Sequence, residues 1–570
     1  MFSSLGKIKN NTTYKNIILP INELNQGVNL FDDYFVHKKN NEIKIFDRTC
    51  DHAGGKLIHR DNKIICPMHD WEFLPLKRCY RNGVKKNSIE YEIKDDKILF
   101  SVKDYKPEIS KFYNDKKSTI KIRFINHAFL ILEYNGFSFA TDPWALGPAF
   151  SNGWWLKKNS KNDWLEKINK CDFVYISHNH PDHLHPLTLK KISSKMKFII
   201  PKFKSGSTKV LLEDLNFNNI DELELNYEYK YKNNDLNLCI LKSGDFREDS
   251  GLYFSIGDFT SLFNVDSNSI NFNRLPNTTF YASSFGGGAS GYPLMFDNYK
   301  INEKKNIIKR NKNFHKFIQQ KNLNLIKPKF FFPYASFFEE KLERDKVVKK
   351  LNEKNKIQSY ENFCKKKNIR LLNTEKNDLF TFKGEELVNE SNVKARFYKD
   401  KTSKDYLSET KKHFNKIDEN YVEDYFLKSK FKSDLILFIS LTDDNFNIKN
   451  SNYIINFSKK KITFKKISVE KLDENFKNKS LLNKLYIKIR CESFLYIIYN
   501  KLPWEDLLIG FQCKILRTPN IYNANFWFHF TNEYISNKRV VSKIKCNICS
   551  VMTQNIDSEI SKKSNTINPK

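Results

Sequence analysis

Cys50-Asp51-His52 and Cys66-Pro67-Met68-His69 decide the fold of the first part of this chain. The first pair is C-x-H, the second is C-x-x-H, and thirteen residues separate His52 from Cys66. Two thiolates and two imidazoles in this order suit a 2Fe-2S cluster in which the cysteines hold one iron and the histidines the other. Replacing two thiolates by neutral imidazoles lowers the negative charge on such a cluster and raises its potential to roughly −150 to +300 mV. The pattern predicts one-electron redox chemistry. Gly54-Gly55 suits a tight loop whose backbone N–H groups face bridging sulfides, and Trp71 and Phe73 are placed to shield the cluster from water. A zinc site is the other use of two Cys and two His, but its usual spacing groups like ligands as C-x-x-C and H-x-H.

Outward from the pairs, the chain alternates as short strands do. Glu42 to Phe46 precedes the first pair, and Tyr91 to Ile93 with Ile98 to Phe100 reads as a hairpin after the second. The arrangement is that of a Rieske domain, small and antiparallel. Cys79, ten residues past His69, is the nearest further cysteine. With none beside the ligands to join the two loops, the pattern favours the oxygenase or ferredoxin kind of Rieske domain over the respiratory kind.

At 570 residues the chain has room for about three domains. The first twenty residues hold no apolar h-region and no run of 18 apolar residues occurs, so the expectation is a cytoplasmic protein with no membrane span. Ten scattered cysteines suit a reducing compartment. Cys546 and Cys549 form a C-x-x-C in a polar tail, a weak redox or metal signal. The net charge of +31 invites a nucleic-acid partner. Against that, the lysines are dispersed among asparagines, isoleucines and phenylalanines, arginine is sparse, and runs such as Lys459-Lys460-Lys461 read as solvated faces. No nucleic acid is expected; a basic surface suits an acidic small substrate or an acidic electron-donor protein.

From about residue 118 apolar strands follow one another: Ile120 to Ile125, Phe129 to Tyr134, Phe137 to Thr141, and Phe173 to Ile176. The last runs into Ser177-His178-Asn179-His180-Pro181-Asp182-His183. This H-x-H-x-D-H is the metal signature of the metallo-β-lactamase fold, where a turn after a strand aims several ligands into one cleft. His185 is the last histidine before His315, which is expected on an exposed, lysine-rich helix, and Gly244 to Asp249 contains none. The set is incomplete for two zincs. A mononuclear iron held by two histidines and a carboxylate needs less, and His178, His180 and Asp266 offer one, with Asp182 or His183 as substitutes. His127 either faces the same cleft or is a hydrogen-bonded structural histidine.

A Rieske domain followed by a metallo-β-lactamase-like domain resembles the CMP-N-acetylneuraminate hydroxylase family. Asp142-Pro143-Trp144, Gly147 to Phe150, Gly153-Trp154-Trp155 and Asp163 to Glu166 are similar to that family's approach to its histidine motif. So are Gly287 to Pro293, Trp504 to Leu507, Ile509 to Gln512, Asn520-Ile521-Tyr522 and Phe526 to Phe530, so the resemblance spans nearly the whole chain. The family generally carries a histidine near position 246 and an aspartate at the place of Ser284; this sequence has neither. The resemblance implies a monooxygenase that converts the N-acetyl group of CMP-N-acetylneuraminate, or a related nucleotide sugar, to N-glycolyl. It also implies dioxygen and an electron-donor protein, a b-type cytochrome or a ferredoxin, fed by an NAD(P)H reductase. Such a substrate carries a phosphate and a carboxylate. Gly286 to Gly291 is either an anion cradle of backbone N–H groups or a plain turn, and Arg123, Arg274, Arg490 and Arg517 are candidates for bidentate anion contacts.

The expected fold class is an α+β multidomain chain: an N-terminal all-β Rieske domain (1–107), a central metallo-β-lactamase-like αββα sandwich (118–345) and a C-terminal mixed α/β region (346–570) without recognisable chemistry of its own. The expected metal residues are Cys50, His52, Cys66 and His69 for the 2Fe-2S cluster, and His178, His180, Asp182, His183 and Asp266, also the catalytic set, for a mononuclear iron. Two other readings stand beside this one: a hydrolase of metallo-β-lactamase fold with an accessory cluster, and an electron-transfer protein whose second metal site has decayed.

Overall fold

Phe129–Tyr134 shows why the middle of the chain is layered. Leu130, Leu132 and Tyr134 turn into one core, while Phe129 and Ile131 turn into another on the opposite face. Side chains alternate along a strand, so an unbroken apolar run means that a layer covers each face. In the computed structural model this strand lies within an eight-stranded sheet. Its order is Ile220–Leu223, Phe198–Pro201, Phe173–Tyr175, Phe137–Thr141, Phe129–Tyr134, Thr119–Asn126, Leu379–Lys383 and Glu386–Ser391. A second eight-stranded sheet, ordered Phe2–Lys7, Tyr227–Tyr231, Leu236–Lys242, Ser250–Ile256, Phe259–Val265, Phe280–Ser284, Phe330–Tyr334 and Arg370–Leu371, faces it across a shared aromatic core. The structure describes residues 2–536 except 8, 32, 49, 52–56, 61, 67–70, 109–118, 232–235, 244–246, 268–269, 271–277, 459–460 and 479–481.

Helices Trp164–Asn169, Pro186–Leu189 and Ser207–Glu213 belong to the connections of the first sheet's parallel strands. The 26-residue helix Ile301–Ile326 carries the chain between the parallel strands Phe280–Ser284 and Phe330–Tyr334 of the second. This is the αββα sandwich, and it draws strands from outside 118–345. Phe2–Lys7 pairs with Tyr227–Tyr231 at one edge, and Leu379–Lys383 pairs with Thr119–Asn126 at another, which covers edges that would otherwise offer unpaired backbone groups.

The N-terminal region is made of three small antiparallel sheets. Ile58–Arg60, Lys63–Ile65, Glu72–Leu74 and Cys79–Tyr80 form the sheet that carries the second cysteine loop. Phe35, Phe46, Trp71, Phe73 and Tyr80 pack around Cys50 and Cys66, which are buried to 1% and 0% exposure. Ala524 and Phe528, from the far end of the chain, complete that core.

The C-terminal region is a five-stranded sheet, with Leu435–Thr442 and Asn483–Arg490 as its parallel central pair. It is not an appendage, because its apolar core is continuous with Trp144, Phe150, Trp154 and Phe338 of the sandwich. Glycines make the seam. A Cβ on Gly153 would stand 2.1 Å from the Gly510 carbonyl oxygen, and one on Gly291 would stand 2.2 Å from that of Leu508. Only glycine lets these backbones approach so closely. In the loop Gly286 to Gly291, the Gly286 N–H and that of the preceding Phe285 donate to Ser336 Oγ, the Gly288 carbonyl accepts from Asn352 Nδ2, and Gly291 forms the packed joint with Leu508.

Candidate metal centre

The second metal motif lies where a doubly covered sheet places ligands, beyond the carboxyl ends of its strands. Ser177 to His183 follows Phe173–Tyr175, Asp142 follows Phe137–Thr141, and Asp266 follows Phe259–Val265. The backbone is strained at this rim: His127 has φ 44°, Asp142 φ 39° and Val265 φ 52°. Positive φ in a β-branched valine is an outlier, and such strain gathers at functional sites.

Hydrogen bonds aim the histidines. Asp142 accepts from the Ser177 N–H at 2.7 Å and the Ser177 hydroxyl at 2.8 Å, and its Oδ2 lies 3.0 Å from His183 Nδ1. His183 therefore turns Nε2 into the cleft. Ser177 Oγ holds His178 Nδ1 at 2.9 Å in the same way. A carboxylate or hydroxyl on the far ring nitrogen is the usual support of a metal-binding histidine.

Around His183 the ligand atoms converge. His178, His183 and Asp266 bring one donor each within 4.8 Å of one another, and so do His127, Asp182 and His183. His183 Nε2 stands 3.2 Å from Asp182 Oδ2 and 3.7 Å from Asp266 Oδ2, yet it makes no hydrogen bond with any described residue. His127 Nδ1 and Asp182 Oδ1 are likewise buried without hydrogen-bond partners among the described residues. Buried polar atoms are nearly always satisfied, so His183 Nε2, left without a described partner beside two carboxylates, fits a cation, although His127 Nε2 itself lies 3.1 Å from Asp182 Oδ2. The donor set His178, His183 and Asp266 is the two-histidine, one-carboxylate type that leaves positions open for oxygen chemistry.

Electrostatics point the same way. Burial opposes charge on His183, but Asp182 and Asp142 outweigh it and hold its pKa well above the ordinary value. Burial, aided by His183 and His180, pushes His178 well below. Burial disfavours charge on His180 too, yet Glu505 and nearby aspartates lift it to about 9. The carboxylates that favour charge on His183 and His180 make the same pocket favourable to a metal cation.

Of the expected residues, His178, Asp182, His183 and Asp266 lie together, joined by His127. His180 departs from the expected triad. Its Nδ1 lies 2.9 Å from His178 Nε2, and its own Nε2 turns to Glu505 Oε2 at 3.3 Å. Glu505 corrects the expectation that the C-terminal region brings no chemistry, and beside it Asp506 is a buried carboxyl whose pKa burial drives well up. Asp142, Asp249, 3.8 Å from His178, and Arg247, 3.1 Å from Asp249, were also missed. Asp142 carries the same signal as Asp266, an aspartate directly after an apolar strand; Glu505 has no local signal. His315 is corrected as well. It is not exposed but turned inward, its ring in contact range of Gly287, with burial holding it down to about 4 despite the charge of Asp266.

His52, His69 and Gly54-Gly55 of the cluster motif lie outside the described residues, as do Arg274 and Cys546/Cys549. Cys50 and Cys66 are described and are buried in the core that also holds Trp71. Trp71 lies tilted against Tyr522 with ring centroids 5.8 Å apart, and Tyr522 in turn feels the charges of Glu505 and Arg247. The aromatic core around the cysteines thus abuts the segment that borders the histidine cleft.

Comparison with known proteins agrees with this construction. Residues 17–88 match the Rieske [2Fe-2S] domain family, and residues 121–245 match a β-lactamase superfamily domain. The class is thereby defined: a Rieske iron–sulfur oxidoreductase with a metallo-β-lactamase-like domain. Along nearly its whole length the chain is similar to the cytidine monophosphate-N-acetylneuraminic acid hydroxylases. It is 26% identical to that of Macaca mulatta over 552 residues, 89% of this chain and 91% of the other. To that of Cricetulus griseus it is 27% identical, over 89% of this chain and 95% of the other. Among solved structures, the metallo hydrolase Igni18 of Ignicoccus hospitalis (TM-score 0.30, 13% identity, 46% of this chain and 98% of that one) and the diiron β-hydroxylase CmlA of Streptomyces venezuelae (TM-score 0.30, 13% identity, 49% and 55%) are similar to parts of it.

Proposed function

We propose that this protein is a Rieske monooxygenase that hydroxylates the N-acetyl group of CMP-N-acetylneuraminate, or a closely related nucleotide sugar, to N-glycolyl. The observation that carries the reading is the convergence of His178, His183 and Asp266 in a chain that also carries the Rieske motif and aligns with the hydroxylases over nine-tenths of its length. Cys50, His52, Cys66 and His69 hold the cluster; His178, His183 and Asp266 hold the iron, with Asp182 and His180 catalytic beside them. The units are 1–107, 118–345 with the edge strands it borrows, and 346–570. Iron with open positions supplies the oxygen activation that an unactivated methyl group requires.

The remaining work falls to the chain. Asp142 and Ser177 fix the tautomers of His183 and His178 so that Nε2 faces the cleft. Glu505 and His180, close enough to share a proton, border the cleft from the C-terminal side. Trp144, Trp154 and Phe338 surround the His127 ring with apolar surface. Electrons would come from a cytoplasmic donor, a b-type cytochrome or a ferredoxin served by an NAD(P)H reductase; the core around Cys50 and Cys66 adjoins Tyr522 through Trp71. Among the described residues no helix is long and apolar enough to cross a membrane.

Iron-reconstituted protein given CMP-N-acetylneuraminate, dioxygen and a reducing system should yield a product one oxygen heavier by mass spectrometry, and His178→Ala should abolish it while leaving the cluster's spectrum intact. Two bound zincs with hydrolysis that needs no electron donor would overturn the reading.

A further inference from the structure

Four arginines have the reach to grip an anion, and their partners separate them. Arg123 is committed to Asp163 through two bonds of 2.7 and 2.6 Å, and Arg490 to Asp345 at 2.7 Å; Arg274 lies outside the described residues. Arg517 is different. It is 6% exposed and makes no ion pair with any described residue. Its Nε and Nη2 both donate to Asn520 Oδ1, at 3.1 and 2.7 Å, and its guanidinium lies 4.7 Å from the Phe296 ring centroid. Every described partner is neutral. A buried guanidinium stays charged, and burying a charge without a counter-charge is costly.

The surroundings suit an acidic ligand. Tyr292, Tyr299 and Tyr522, all half-buried, cluster about Arg517, and Asn520 beside it is exposed. The Tyr292 hydroxyl donates to Tyr299 at 3.3 Å, and Asn298 brackets the Arg517 backbone with bonds of 2.9 and 3.0 Å that fix the strand. The place is also tied to the metal cleft from two sides. Tyr522 feels both Arg517 and Glu505, the neighbour of His180. The loop ending at Tyr292 begins at Gly287 against His315, which feels Asp266.

We propose that Arg517, beneath Tyr292 and Tyr299, is the oxyanion-recognition residue of the substrate cleft, taking the phosphate or the carboxylate of an acidic nucleotide sugar. The identity of the ligand rests on the function proposed above; the oxyanion site does not. A planar guanidinium fork matches either group with two parallel bonds. Lysine keeps the charge but not the fork, so Arg517→Lys should weaken binding about 10- to 100-fold.

The test is calorimetric binding of CMP-N-acetylneuraminate, CMP and free N-acetylneuraminate to the cluster-loaded enzyme, wild type against Arg517→Gln and Arg517→Lys, with the cluster spectrum and melting temperature as folding controls. Weakening confined to CMP assigns the phosphate, and weakening confined to N-acetylneuraminate assigns the carboxylate; either supports the proposal. Unchanged affinity for all three in folded variants overturns it. Should Arg517→Gln fail to fold, Arg517→Lys and Asn520→Ala, which keeps the guanidinium and removes its anchor, give the same reading, with a few-fold loss for the latter. If the wild type binds none of the three, the nucleotide-sugar reading fails by itself. Inorganic phosphate then decides the site: a phosphate-dependent rise in melting temperature that Arg517→Lys loses supports it, and an equal response in both proteins overturns it.

Discussion

Cys50 and Cys66 sit sixteen positions apart on one small set of hairpins, closed in by Phe35, Phe46, Trp71, Phe73 and Tyr80. The histidine cleft is assembled from afar: Asp142 orients His183, Asp266 arrives from the facing sheet, and Glu505 meets His180 across 325 residues. One centre is local and shut, the other is long-range and rimmed by strained backbone. The difference suits their tasks, since a cluster that only passes electrons gains from a dry, rigid shell, while a centre that handles a substrate needs an opening and groups from several elements. It also means that the first centre should fail through single ligands, and the second through distant supports.

The largest expected effect breaks the comparison at the local centre. Cys66→Ser should eliminate the reduced-cluster EPR signal and turnover with it, while iron bound at the histidine cleft stays near the wild-type stoichiometry by metal analysis. Concerted loss of both metals would show that the two centres are one folding unit.

At the distant centre the effect should be graded. Glu505→Gln keeps shape and removes the charge facing His180, so turnover or iron affinity should fall about 10- to 100-fold, as for other supporting residues of metal sites, with the cluster signal unchanged. A wild-type rate in this variant would remove the C-terminal region from the chemistry.

A third substitution touches neither centre. Gly153→Ala places a methyl group 2.1 Å from the Gly510 carbonyl oxygen, between two backbones that cannot yield as a side-chain tip would. Forced overpacking typically costs about 1–3 kcal/mol, so the melting temperature should drop. Turnover should fall with it, because the Gly153–Gly510 seam sets where Glu505 stands. An unchanged melting temperature would mean that the seam relaxes freely.

What the sequence disclosed follows the same division. Phe129–Tyr134 and Phe137–Thr141 were legible as strands because their apolar runs need no partner to be recognised, and the H-x-H-x-D-H spacing was legible because it follows directly on an apolar strand. Glu505 was not, since nothing within reach of it along the chain marks a carboxylate that meets His180 only after folding. His180, whose spacing fits a ligand, has its Nε2 3.3 Å from that distant glutamate, a contact no local pattern announces. The Gly153, Gly291 and Gly510 motifs were visible as a resemblance, but their cause, backbone against backbone, lies in pairs of segments far apart in the chain.

His315 offers the smallest and most selective test. Its helix is lysine-rich, which suggests exposure, yet the ring lies against Gly287 and burial holds its pKa near about 4, against 6.5 for an ordinary histidine. The sign follows from proton counting. Between pH 6.5 and about 4 the unfolded chain takes up a proton at this position and the folded chain does not, so stability falls as the pH falls through that window, and at neutral pH the group contributes no slope. His315→Gln keeps a polar side chain of similar reach and removes the titration. Melting temperatures of the two proteins should therefore run close together near pH 7 and diverge below pH 6.5, with the wild type losing stability more steeply. Curves that stay parallel down to pH 4 would put His315 back in solvent, and with it the inward face of the helix that closes the second sheet.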